Sequence, residues 1–123
     1  MIYGPFNSGA AVGGNGVATV NSTTGSPVSG IIYGVYVKYN DACPATTDVV
    51  IATAGNAAPA FTLLTLTNKN TDGWFFPRIS TQDLLGVDVN INSDYPVIED
   101  NLKVTVTGAN AADNVDVWLL VIK

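Results

Sequence analysis

The sequence predicts an all-β fold: an antiparallel β-sandwich of jelly-roll-like type, with about eight short strands. Three observations point there. Apolar and polar residues alternate at a period of two through most regular stretches, as half-buried strands require. Those stretches are broken at short intervals by Gly, Pro, Asn and Asp, and none carries a convincing helical period. The last stretch, VDVWLLVI at residues 115–122, is apolar on both faces, so both its own core and something else must cover it.

A chain of 123 residues is one domain, long enough to bury a real core. Hydrophobic residues make up 47% and charged residues 12%, roughly half the usual charged share. Asn, Thr, Ser, Gly and Ala take the place of charge, which suits a surface partly covered by other subunits. The net charge is −5, and the five cations (Lys38, Lys69, Arg78, Lys103, Lys123) are scattered. That distribution argues against nucleic-acid binding, which relies on clustered Lys and Arg. No basic segment precedes an apolar run at the start, and no apolar stretch reaches the ~18–20 residues of a membrane helix. The expectation is a soluble protein made in the cytoplasm, without a membrane partner.

Taken in order, residues 1–28 read as an N-terminal arm or edge strand, and residues 29–123 as the sandwich domain. MIYGPF at 1–6 is apolar enough to dock, 9–16 reads as a flexible connection, and 17–21 as a short strand. TTGSP at 23–27 is turn chemistry. Residues 30–39 are the clearest strand, with Ile31, Tyr33, Val35, Val37 and Tyr39 on one face and Ile32, Gly34, Tyr36 and Lys38 on the other. Gly34 permits a bulge or a close backbone approach. Further strands are expected at 47–53, 61–67, 74–79, 87–91, 102–107 and 115–122, with helical or turn-like character only at 81–85.

Residues 65–79 concentrate the bulk of the chain, as TLTNKNTDGWFFPRI. Asn68-Lys-Asn-Thr-Asp-Gly73 resembles the opening of a calcium loop, but the closing carboxylate position is Ile79, so the segment reads as a strand-connecting turn. Alternation sends Trp74 and Phe76 one way and Phe75 the other. One side is expected to fill the core and the other to meet a neighbouring subunit or, as the alternative, a ligand.

Chemistry-bearing residues are sparse. With no His and only Cys43, neither a zinc set nor the usual general base can be assembled, so no catalytic, metal or cofactor-binding residue is assigned and no cofactor is expected. Glu99 and Asp100 are neighbours on one strand and point apart, so they cannot flank a glycosidic bond across the required ~5–9 Å. They read as a solvated turn or as caps for backbone amides, with Asp94 close by. Arg78 is expected to form a structural salt bridge with Asp100 or Asp72. Residues 13–16, GGNG, lack the Lys and the helix of a phosphate loop.

Pro44-Ala-Thr-Thr-Asp48, Asn70-Thr-Asp-Gly-Trp74 with Phe76-Pro-Arg78, and Pro96-Val-Ile-Glu-Asp100 before Leu102 span most of residues 29–123. In this order the chain resembles small β-sandwich proteins encoded beside the structural genes of tailed bacteriophages, the capsid decoration or cement proteins. The resemblance implies a non-enzymatic virion protein that binds the major capsid protein lattice as a homotrimer, on the outer surface of the capsid. Trp74, Phe75, Phe76, Trp118, Leu120 and Ile122 are the expected subunit interface. The alternative is a carbohydrate- or receptor-binding module of a phage fibre, with Trp74 or a Tyr as stacking platform.

Overall fold

The computed structural model describes all residues, Met1–Lys123. It is an all-β sandwich of nine strands: β1 (Ile2–Asn7), β2 (Ala18–Thr23), β3 (Val28–Tyr39), β4 (Asp48–Thr53), β5 (Thr62–Leu66), β6 (Gly73–Phe75), β7 (Val97–Asp100), β8 (Leu102–Ala109) and β9 (Val115–Ile122). One antiparallel sheet runs β1-β9-β3, with β6 and β7 sharing the far edge of β3; the other runs β2-β8-β4-β5. Between them lie fully buried side chains from both inner faces, among them Ile32, Val35, Val37, Ile51, Leu102, Val106, Val117 and Leu119.

The expected two-faced character of β9 has a direct structural basis. Val115, Val117, Leu119 and Val121 are buried between the sheets, while Trp118 and Leu120 are half-buried on the outer face and Ile122 is exposed there. As the central strand of its sheet, β9 pairs with β1 on one side and β3 on the other.

Residues 1–28 take the edge-strand form. Ile2 pairs with Leu120 and Asn7 with Asp116, while Val20 pairs with Val106 and Thr23 with Lys103, so this segment gives each sheet one edge strand. The Gly-rich connection expected to be flexible is held at several points. Ala11 N–H donates to the Asp113 carbonyl (2.8 Å), Val12 bridges Thr19, and Gly16 N–H donates to Asn110 Oδ1 (3.0 Å).

Three expectations need correction. In β3, Ile32 faces Val121 but Gly34 faces Leu120, so Tyr33 is an extra residue in a β-bulge. Each inserted residue reverses the alternation beyond it. Ile32 therefore joins Val35 and Val37 in the core, and Tyr33 stands outside with an exposed ring. The strand expected at 74–79 stops at Phe75, because Pro77 has no N–H to continue the ladder.

The strand expected at 87–91 is instead one arm of an irregular hairpin over residues 79–94. Ile79 bridges Asp94 and Gln82 bridges Asp88, while Thr81 N–H donates to the Ile91 carbonyl (2.7 Å) and Val89 N–H to the Thr81 carbonyl (3.0 Å). Val87, Val89 and Ile91 alternate as a strand should, but they pair only with this short arm and stay exposed.

Candidate functional site: the aromatic outer face

The outer face of the first sheet gathers the exposed aromatic rings of Tyr33, Trp74, Phe76 and Tyr95. Register places Tyr36 opposite Trp74 on β6 and Trp118 on β9, so three rings cross three strands in a row. Their centroids lie 5.4 Å (Tyr36–Trp74) and 5.6 Å (Tyr36–Trp118) apart, both edge-to-face. Ile2 on β1 completes a shallow hollow of about 250 Å³ lined by Ile2, Tyr36, Trp74 and Trp118.

A second group of rings continues toward the hairpin. Trp74 and Phe76 are stacked at 6.2 Å with planes 17° apart, and both stand about half out of the protein, at 43% and 52% exposure. Phe76 meets Tyr33 edge-on at 5.7 Å, and Tyr33 stacks on Tyr95 at 5.8 Å. The bulge makes this possible. It pushes Tyr33 outward and leaves Gly34 under Phe76, where an added Cβ would stand only 3.0 Å from the ring.

Of the six residues expected at a subunit interface, Trp74, Phe76, Trp118, Leu120 and Ile122 lie on this face. Phe75 does not. It is turned inward and packs against the buried core, as its place between Trp74 and Phe76 on a pleated strand requires.

The expected salt bridge is replaced by other contacts. Arg78 donates to the carbonyls of Tyr33 (3.0 Å) and Pro77 (2.7 Å), and its guanidinium lies 4.1 Å from the Tyr95 ring centroid and 5.2 Å from that of Tyr33. A planar, weakly hydrated guanidinium is suited to lie on rings in this way. Asp72 accepts the Tyr39 N–H instead (2.8 Å). Asp100, 5% exposed, accepts backbone N–H groups of Gly55 (3.0 Å), Asn56 (3.1 Å) and Asn101 (2.7 Å). It is thus an amide cap, while Glu99 points to the exposed side of β7.

The turn at 68–73 is held by side-chain hydrogen bonds of its own. Asp48 accepts the Asn68 N–H (2.7 Å), Asn70 donates to the Cys43 carbonyl (3.0 Å), and Asn68 adopts the left-handed backbone (φ 53°) that Asn tolerates.

Two titratable groups are perturbed, both at the same end of β3. Burial, followed by the nearby Cys43, Asp72 and Asp48, pushes the Tyr39 hydroxyl up to about 12. That hydroxyl is buried without a hydrogen-bond partner. Burial and the Asp113 carboxylate push the Cys43 thiol up to about 11, and Sγ donates to Asn40 Oδ1 (2.8 Å). A thiol held protonated is a weak nucleophile at neutral pH.

Sequence reasoning missed Ile2, Tyr33 and Tyr95 as members of the aromatic face. Ile2 joins it only through pairing with Leu120, 118 positions along the chain, and Tyr33 only through the bulge. Tyr36 carried a readable signal, since it alternates with the core-facing Val35 and Val37.

No family model and no curated protein matches the chain. Among solved structures, the chain is similar to one described as "Family 16 Carbohydrate Binding Module-2", at 12% identity over 89% of this chain and 73% of that one, with a TM-score of 0.36, a likeness too distant to bear on function.

Proposed function

We propose that this chain is a non-enzymatic assembly protein that packs against copies of itself as a homotrimer. In keeping with the resemblance of residues 29–123 to capsid decoration proteins, its second partner is the major capsid protein lattice on the outside of a phage head. The observation that carries the reading is the apolar outer face running over β1, β9, β3 and β6. Monomeric proteins rarely expose contiguous apolar patches beyond a few hundred Å², and larger ones mark interaction surfaces.

The hollow at the centre of the face favours a protein partner over a small polar one. Its lining of Ile2, Tyr36, Trp74 and Trp118 has no carboxylate or amide to orient a polar ligand. Low surface charge fits the same role, and in the proposed trimer weak contacts would multiply into avidity. Mass photometry at low micromolar concentration is expected to give a trimer; a stable, folded monomer would remove the reading. On assembled particles, density at local threefold axes is the expected cryo-EM result.

A second reading, a carbohydrate- or receptor-binding module, is favoured by one feature. The near-parallel, half-exposed rings of Trp74 and Phe76 offer a flat apolar strip of the kind a sugar ring can stack on. Glycan-array binding that disappears in Trp74→Ala would support it, and silence on the array would count against it.

A further inference from the structure

We infer that the trimer closes head to tail, with Leu84 and Leu85 at the tip of the 79–94 hairpin of one copy seated in the Ile2–Tyr36–Trp74–Trp118 hollow of the next. The inference rests on the homotrimer proposed above and specifies which surfaces meet.

The tip is a built structure. Asp83 Oδ1 accepts the N–H groups of Leu85 (2.9 Å) and Val87 (3.0 Å), Gly86 N–H donates to the Asp83 carbonyl (3.0 Å), and Gln82 Nε2 ties to Asp88 (3.0 Å). Yet the two leucines that this turn presents are fully in solvent, at 105% and 88% exposure. Ordering two large apolar side chains outward serves no core of this chain. It does suit a knob for another molecule, because the turn's own hydrogen bonds already fix the backbone that carries both leucines.

The same chain carries a matching hole. The hollow is apolar, about 250 Å³, and its own hairpin does not fill it. Knob and hole occupy different parts of the molecule, so the contact is heterologous, and such contacts form closed rings when the rotation between copies allows. A second copy therefore relieves both exposed surfaces with one interaction.

Two variants test this in the full chain, each checked for native fold by circular dichroism. Leu84→Asp/Leu85→Asp alters side chains that are almost wholly in solvent and is expected to be a folded monomer where wild type is a trimer. The double variant Leu84→Cys/Ile2→Cys, treated with a mild oxidant, is expected to yield covalently closed trimers, while buried Cys43 stays out of the reaction. Wild-type trimer together with a trimeric Asp variant overturns the inference alone. So does a monomeric Asp variant whose Cys counterpart does not cross-link, because the hairpin then docks elsewhere. A monomeric wild type removes the homotrimer itself, and the inference with it.

Discussion

Replacing Asp100 separates its two possible roles, ion-pair partner of Arg78 and cap for the 55–57 turn. The carboxylate accepts three good backbone hydrogen bonds, from Gly55, Asn56 and Asn101, and a longer one from Ala57 at 3.4 Å. Hydrogen bonds to charged acceptors contribute ~1.5–3 kcal/mol each in favourable settings. Gly55 and Asn56 are exposed, however, so water recovers part of what their amides lose. Asn101 N–H, directly beside the carboxylate, and the buried carboxylate environment bear most of the effect. Asp100→Ala is therefore expected to cost about 3 kcal/mol, and Asp100→Asn, which keeps one acceptor oxygen but turns N–H groups toward N–H groups, about 2 kcal/mol. Against a total stability of ~5–15 kcal/mol, either loss is easily resolved by equilibrium urea unfolding. A double-mutant cycle with Arg78→Ala decides the role, since independent sites add within ~0.3–0.5 kcal/mol. Coupling above ~1 kcal/mol, or a cost of Asp100→Ala below ~1 kcal/mol, would refute the amide-cap assignment.

Phe75 and Phe76 are chemically identical neighbours with opposite surroundings. Phe75→Ala is expected to destabilise the fold by about 2–3 kcal/mol, less than the ~3–5 kcal/mol of a fully buried Phe, whereas Phe76→Ala, which removes two partly exposed ring contacts, should cost only about 1 kcal/mol and weaken self-association; urea melts and sizing of both variants check this. The buried thiol and phenol make stability fall at alkaline pH. Their native pKa values are raised from 9.0 to about 11 (Cys43) and from 10.0 to about 12 (Tyr39), so the folded state holds protons that the unfolded state has lost. Their contribution is full below the unfolded values and declines as pH rises through this window. Cys43→Ala and Tyr39→Phe should each flatten the decline in thermal melts, and Tyr39→Phe should cost little at neutral pH because it removes a hydroxyl without a partner. Equal alkaline slopes in wild type and both variants would contradict this.

The sequence alone determined the fold class, because a period of two in side-chain polarity leaves a strand only one way to bury its apolar half. It also determined the split of Val117 and Leu119 from Trp118 and Leu120 on β9, and of Phe75 from its two neighbours, because pleating acts over adjacent residues. The turn at 68–73 was legible for the same local reason: Asn, Asp and Gly there accept the backbone angles a turn demands.

What the tertiary structure decided depends on partners far along the chain. The bulge at Tyr33 arises from the register of β3 against β9, and it alone moves Ile32 inward and Tyr33 into the aromatic face. Residues 1–28 look weak in sequence because their strands gain stability only from ladders with β9 and β8, about a hundred positions later. Arg78 looked like half of an ion pair because charge is visible in a sequence. Rings supplied by Tyr33 and Tyr95 are visible as neighbours only once β3 and the hairpin are folded together. The alternation of Val87, Val89 and Ile91 was legible too, but only the fold shows that no sheet receives it, leaving these side chains in solvent.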